Sequence, residues 1–138
     1  MRATVTRVRR AGNGHAVVTV EGKGGYRRKP CEQCPWRCDM TSRFPAEAFR
    51  LSADTAYDAA FHAFGCHMSP AAKPATCAGF LLSAGALHNI VVRLALAAGR
   101  LDIDKVSSGV PLFTSYRTMA IANGVAADDP VLAPCRDA

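Results

Sequence analysis

Two cysteines three residues apart, Cys31 and Cys34, carry the clearest chemical signal in this chain. Their spacing places two sulfurs on one tight turn, a geometry that proteins use to bind metals and to do thiol redox chemistry. Cys66 and Cys77 follow in a stretch with little regular periodicity. Four thiolates complete a tetrahedral zinc site, or supply one ligand to each iron of a cubane cluster. We therefore predict a metal centre formed by Cys31, Cys34, Cys66 and Cys77.

The residue after the second cysteine bears on the identity of the metal. A zinc knuckle favours a small residue with left-handed backbone there, and Pro35 cannot adopt that conformation. A proline directly after a ligand cysteine is instead a feature of bacterial ferredoxins. Trp36, Phe64 and Phe80 are suited to shield a cluster from water, and we expect Trp36 to be largely buried against the segment that follows Cys77, which contains Phe80. We expect an iron–sulfur cluster, 4Fe-4S by preference, with zinc as the alternative and unrelated free cysteines as a further one.

Three other residues lie near these ligands in the sequence or share their chemistry. His67 directly follows Cys66, so it is a candidate alternative ligand or a hydrogen-bond donor to a ligand sulfur. Cys38 is a second candidate for an alternative ligand, because it lies four residues after Cys34. Cys135 lies in a polar tail and is the cysteine least suited to the site.

Several familiar enzyme motifs do not fit the sequence. Pro30-Cys31-Glu32-Gln33-Cys34 matches half of the zinc deaminase signature, but the required H-x-E lies nowhere upstream. A thioredoxin-like motif needs its C-x-x-C between a strand and a helix, whereas a glycine-rich segment and Pro35 flank this one. Phosphate-binding and nucleophile-elbow motifs are absent from the sequence. We assign no catalytic residue.

The positive charge of the chain belongs to its N-terminal fifth. The formal net charge is +6, and residues 1–29 carry eight Lys or Arg against Glu21 alone. Such a segment suits a phosphate backbone or another anionic surface, although a purely solubilising role is the alternative. The candidate nucleic-acid-binding residues are Arg7, Arg9, Arg10, Arg27, Arg28 and Lys29.

Length and hydropathy indicate a small α+β fold that is mostly helical. With 138 residues we expect one folded domain. We divide the chain into a basic arm or hairpin at 1–29, a cysteine-ligated domain at 30–125 and an irregular tail at 126–138. It has no membrane-spanning run and no secretory signal, so we predict a cytoplasmic protein that does not engage a membrane.

The apolar patterning predicts the elements that position the cysteines. Alternation over residues 3–21 indicates a small N-terminal β-hairpin. Irregular loops carry the cysteines, and short helices are expected near Pro45 and from Leu112 to Ala122. The strongest periodicity predicts a helix whose core-facing residues are Leu87, Ile90, Val91, Leu94 and Ala98.

The order of the cysteine motifs resembles a family of small uncharacterised proteins from actinobacteria and especially their phages. The motifs are Cys31-x-x-Cys34-Pro35-Trp36-Arg37, Cys66-His67-Met68-Ser69 and Cys77-Ala78-Gly79-Phe80. In that pattern the position of Cys38 is usually not cysteine, which supports the other four as ligands. The resemblance implies action in the cytoplasm of an infected host, and it implies no particular reaction.

Three functional hypotheses follow. The first is a cluster-binding regulatory module that contacts nucleic acid or a nucleic-acid-associated host protein. The second is a structural zinc module that binds a host protein. The third is a metal- or cluster-dependent enzyme of redox or nucleotide chemistry.

Overall fold

An antiparallel hairpin begins the fold, with β1 (Thr4–Gly12) paired to β2 (His15–Glu21). The computed structural model describes residues 4–12, 15–21, 25–66, 68–69 and 73–137. Gly12 has a φ of +91°, a left-handed conformation that glycine adopts without strain at the entry to the turn. The hairpin lies against helix α1 (Ala46–Ser52), where the Arg9 Nη2 donates to the carbonyl of Leu51 over 2.7 Å. This hairpin confirms the predicted N-terminal β element.

A second, very small sheet joins two distant parts of the chain. Strand β3 (Gly25–Tyr26) runs parallel to β4 (Ala75–Thr76). On the other side of β4, Gly65 forms an antiparallel bridge with Thr76. The segment before the C-x-x-C turn and the segments bearing the later cysteines are therefore held by one hydrogen-bonded unit.

Four short helices complete the regular structure: α1 (Ala46–Ser52), α2 (Ala78–Leu81), α3 (Ile90–Ala97) and α4 (Tyr116–Ala122). Pro45 precedes the first turn of α1, and Ser115 caps α4 through a reciprocal bond pair with Thr118. Single 3₁₀ turns occupy 38–40, 53–56, 86–88, 103–105 and 130–132. The result is an α+β fold with short helices and irregular cysteine-bearing segments, as the sequence predicted.

The orientation of α3 differs from the prediction. Its buried side is formed by Val92, which is 2% exposed, with Ala95 and Leu96 packed against the core. Leu94, predicted to face the core, is 58% exposed, and Leu87 in the preceding turn is 54% exposed. The prediction was wrong because α3 is apolar on more than one side, so its periodicity does not identify the buried one.

The core is centred on Trp36, whose side chain is fully buried. Its ring lies 5.7 Å from that of Tyr116, 5.9 Å from Phe64 and 6.3 Å from Phe80, mostly in edge or tilted geometry. Burial of Trp36 beside Phe80 agrees with the expectation from the sequence. The C-x-x-C turn is thus anchored to the core by the residue two positions after Cys34.

The last described residues pack on the same core. Leu132 and Cys135 are buried, and Tyr57 forms an antiparallel bridge with Cys135. Arg136 makes two hydrogen bonds to the carboxylate of Asp58. Within the described part of the chain, no helix is long and apolar enough to cross a membrane.

Candidate metal centre

The C-x-x-C segment is a pair of tight turns held from both sides. The Cys34 N–H donates to the carbonyl of Cys31, and the Arg37 N–H donates to that of Cys34, over 3.2 and 3.1 Å. The Phe113 N–H donates to the carbonyl of Trp36, and the Cys38 N–H donates to that of Pro111. These long-range backbone bonds fix the turn relative to the rest of the fold.

The other two cysteines are brought together by the strand-like pairing around β4. The Cys66 N–H donates to the carbonyl of Ala75 over 2.6 Å, and the Cys77 N–H donates to that of Phe64 over 2.9 Å. Cys77 then leads directly into α2, whose residues are all buried. The pairing therefore places both sulfur-bearing residues beside the C-x-x-C turn.

The four cysteines lie close together, and two of their sulfurs are in contact. The Cys34 and Cys77 sulfurs are 3.5 Å apart in the buried core. The Cys31 thiol lies close enough to Cys66 and Cys34 for both neighbours to raise its pKa. Sequence reasoning grouped these four residues, and the structure brings them to neighbouring positions. Within the described residues, however, no set of three or more His, Cys, Asp or Glu side chains is already arranged to hold a metal ion.

Cys34 is the sulfur best prepared to carry negative charge. Its pKa is lowered because the Cys77 thiol donates to it, and the backbone N–H groups of Trp36, Gly79 and Arg37 also donate to it, although burial acts in the opposite sense. The pKa of Cys77 is raised well above its usual value because this thiol holds the shared proton and is buried. Backbone N–H groups directed at a sulfur stabilise a thiolate, which is the form that binds metals.

The pKa of Cys31, the first cysteine of the turn, is shifted in the opposite direction to that of Cys34. Burial raises the pKa of Cys31 to about 11, and the neighbouring Cys66 and Cys34 sulfurs add to the shift, while the Gln33 N–H opposes it. Without a cation, Cys31 therefore stays protonated at neutral pH. A bound metal ion would reverse this preference, because coordination favours the thiolate.

Two guanidinium groups lie beside the sulfurs. The Arg27 Nε donates to the Cys66 sulfur over 3.3 Å. Arg37 donates to the carbonyl of Cys31 and forms a double hydrogen bond with Asp39. Sequence reasoning placed Arg27 among nucleic-acid-binding residues and missed this contact, because the parallel β3–β4 pairing that produces it has no local sequence signal.

The other candidate ligands are separated from this centre or lie outside the described residues. Cys38 is exposed and begins a 3₁₀ turn, and Cys135 is buried against the carbonyl of Ala53. Burial raises the pKa of Cys135 to about 11. His67, the predicted alternative ligand, is outside the described part of the chain.

The predicted nucleic-acid-binding residues do not share one environment. Arg9 is bonded to α1 and Arg27 to Cys66. The remaining residues of that set are exposed: Arg7, Arg10, Arg28 and Lys29. Arg27 is exposed as well, whereas Arg9 is half-buried, so five of the six predicted side chains are accessible at the surface.

The fold and its cysteine pairs define a small α+β protein built around four neighbouring thiols. Residues 26–136 match the model of a family of unknown function, DUF6283, and the chain belongs to that family. The match includes both cysteine pairs and extends through the C-terminal segment. Comparison with curated proteins and comparison with solved structures each give no match.

Proposed function

We propose that this protein is a metal-binding module in which Cys31, Cys34, Cys66 and Cys77 hold a single zinc ion. The observation that carries the proposal is the 3.5 Å contact between the Cys34 and Cys77 sulfurs. With Zn–S bonds of about 2.3 Å, tetrahedral geometry puts neighbouring sulfurs about 3.8 Å apart. The contact is within a few tenths of an ångström of that value.

The same contact favours zinc over the iron–sulfur cluster preferred from the sequence. In a cubane each cysteine binds a different iron, so the cysteine sulfurs lie farther apart than on one shared ion. Completing a four-thiolate site requires side-chain adjustment that draws Cys31 and Cys66 towards Cys34 and Cys77. Metal binding supplies free energy for such an adjustment.

Charge around the centre supports this assignment. Four thiolates and one Zn²⁺ carry a net charge of about −2, which is costly to bury without compensation. The Arg27 guanidinium on Cys66 and the backbone N–H donors on Cys34 supply that compensation. The role we propose for the ion is structural, because the four ligands leave no open coordination position.

Metal analysis of protein purified without chelators from cells supplied with both iron and zinc tests the proposal. We expect one zinc per chain, lost in Cys34→Ser and in Cys77→Ser and retained in Cys38→Ser and in Cys135→Ser. A brown protein with stoichiometric iron would establish the cluster instead. A metal-free wild-type protein would contradict both assignments.

We further propose that the exposed basic residues contact nucleic acid or another polyanion. Arg28 and Lys29 precede the cysteine turn, and the Arg28 carbonyl is fixed by the Ser107 N–H, so ordering of the turn also positions these two side chains. Arg7 and Arg10 add positive charge on the hairpin. The resemblance of the cysteine motifs supports action in the cytoplasm of a phage-infected host, where reducing conditions keep thiols available.

Salt dependence of duplex DNA binding tests this second proposal. If all four cations contact phosphates, the slope of log K against log salt is about −3 to −4. The double variant Arg28→Gln/Lys29→Gln should reduce the slope by about 2, whereas Arg100→Gln, an exposed control, should leave it unchanged. An unchanged slope in the double variant would contradict the assignment of these residues.

A further inference from the structure

The outer side of α3 carries an exposed apolar patch that the proposed metal site does not use. It consists of Phe61, Leu87, Ile90, Leu94 and Ala97, and we call it the α3 patch. Phe61 is 77% exposed, Leu94 58% and Leu87 54%. Phe61 belongs to the patch because the Ile90 N–H donates to the carbonyl of the preceding residue, Ala60, over 2.9 Å.

The spacing within α3 makes the patch a continuous stripe. Ile90, Leu94 and Ala97 are separated by four and three residues, which places them on one side of the helix. Val92, on the opposite side, is buried. The helix therefore has an inner apolar side that packs on the core and an outer apolar side that lies at the surface.

Buried hydrogen bonds fix the orientation of α3 at its N-terminus. The exposure of its outer apolar side therefore follows from a fixed helix position. The Asn89 side-chain oxygen accepts from the Val92 N–H, and its amide donates to the carbonyls of Thr55 and His62 over 3.1 and 2.9 Å. Asn89 is 1% exposed. Rotating Leu94 inward would break this buried network.

The formal charges on α3 and on the residues next to it in the sequence are all positive. Residues 86–101 contain Arg93 and Arg100 and no Asp or Glu. Asp58 lies near His88, but its carboxylate is bonded to Arg136. A partner seated on the patch therefore meets cationic side chains next to the exposed leucines.

This charge pattern argues against a second copy of the chain as the occupant. In an antiparallel pairing of two patches, the midpoint of the stripe lies beside Arg93, so the two copies of Arg93 would face each other. Like charges opposed at an interface weaken association. A partner with acidic residues beside its apolar stripe has the complementary charge.

We propose that the α3 patch binds an amphipathic helix of another protein whose apolar stripe is flanked by Asp or Glu. Leu94 and Phe61 are the expected anchors, because they are the most exposed large apolar side chains of the patch and apolar contacts anchor an amphipathic helix on its partner. Arg93 selects the charge of the partner. This inference is independent of the metal assignment.

Two synthetic helical peptides test the proposal on the protein as purified. Both have the same leucine stripe at positions i, i+3, i+4 and i+7, one flanked by Glu and the other by Lys. Fluorescence anisotropy of labelled peptide gives the dissociation constants. We expect the Glu peptide to bind at least about tenfold more tightly than the Lys peptide, since charge juxtaposition at an interface discriminates strongly between partners.

Three variants separate the patch from nonspecific binding. Leu94→Ser should weaken binding of the Glu peptide at least about tenfold, whereas Val8→Ser, at a comparably exposed valine on the hairpin, should not. Arg93→Glu should reverse the preference between the two peptides. Circular dichroism of each variant verifies that it is folded.

Two results would overturn the proposal. One is equal or undetectable binding of the two peptides by the wild-type protein. The other is a wild-type dimer, seen by sedimentation equilibrium, that Leu94→Ser converts to a monomer, because a second copy would then occupy the patch.

Discussion

Gly79 is the residue at which the packing of the cysteine centre against the core is tightest. A Cβ at this position would lie 2.4 Å from the Cβ of Trp36, closer than any real contact. The Gly79 N–H also donates to Cys34. The absence of a side chain therefore lets α2 approach both the indole and the sulfur.

Gly79→Ala should destabilise the fold through this steric conflict. Overpacking of a filled core costs about 1–3 kcal/mol, and we expect a loss of unfolding free energy in that range or above, measured by urea denaturation. Gly109→Ala is the matched control, because a Cβ there meets nothing within 4 Å. Equal stabilities for the two variants would contradict the close approach of α2 to Trp36.

Arg27 and Arg28 are adjacent residues with different contacts. Both side chains are exposed, but the Arg27 Nε also donates to the Cys66 sulfur over 3.3 Å. Loss of a hydrogen bond to a metal ligand weakens metal binding about 10- to 100-fold, so Arg27→Gln should weaken zinc binding to that extent in a competition with a chromogenic chelator. Arg28→Gln should leave zinc affinity unchanged. The opposite ranking would show that the Arg27–Cys66 contact does not support the centre.

At the scale of elements, Asn89 both caps α3 and links this helix to other segments of the chain. Asn89 joins the helix to the carbonyls of Thr55 and His62, which belong to segments far away in the sequence. Ser115 caps α4 through a local pair with Thr118. The two caps therefore differ in how many elements they hold together.

The substitution Asn89→Asp distinguishes the helix cap from the hydrogen bonds that join α3 to other segments. Aspartate keeps the acceptor for the Val92 N–H but loses both amide donors, leaving two carbonyls facing a carboxylate. Burying unpaired polar groups costs about 1–3 kcal/mol each, whereas loss of the Ser115 cap costs about 1 kcal/mol. We expect Asn89→Asp to lower the unfolding free energy more than Ser115→Ala in thermal or urea denaturation. A smaller loss of unfolding free energy in Asn89→Asp than in Ser115→Ala would contradict the role of Asn89 in linking α3 to the other segments.

The sequence predicted the elements better than it predicted their faces. The hairpin, the helix after Pro45 and burial of Trp36 followed from local patterns. The buried side of α3 did not, because Val92, Ala95 and Leu96 are as apolar as the predicted face. Only the packed core decides between two apolar sides of one helix.

The positions of the four cysteines could likewise be predicted only in part from the sequence. The C-x-x-C spacing is local, so Cys31 and Cys34 were identifiable from their turn. The place of Cys66 and Cys77 depends on the pairing of Phe64–Cys66 with Ala75–Cys77, which has no strong strand pattern. The C-terminal segment was expected to be irregular, and its buried Leu132 and Cys135 depend on equally non-local contacts.

At the scale of the whole molecule, two arginines of the hairpin act electrostatically on an ion pair within the segment 53–62. The Nε2 of His62 lies 3.1 Å from the Oδ1 of Asp54, with Arg9 and Arg7 near enough to affect both groups. The bond to Asp54 raises the pKa of His62, while burial and the arginines oppose the shift. Burial of Asp54 opposes ionisation, but the His62 bond and the arginines leave its pKa lowered.

The sign of the His62 shift gives a pH dependence. A raised folded-state pKa means that the stabilisation is fully present below the unfolded value of about 6.5 and is lost as pH rises through the folded pKa. The difference in unfolding free energy between wild type and His62→Gln should therefore be larger at pH 5.5 than at pH 8.5. His88→Gln, at an exposed position, is the control. A difference that does not change with pH would contradict protonation of His62 in the pair.

We propose that all four cysteines bind one zinc ion. X-ray absorption at the zinc edge of the purified protein tests it directly, because the first shell reports ligand type, number and distance. We predict four sulfur ligands at about 2.3 Å and no nitrogen or oxygen ligand. A shell of two sulfurs with lighter ligands, or an iron edge with iron–iron scattering in place of zinc, would contradict the claim.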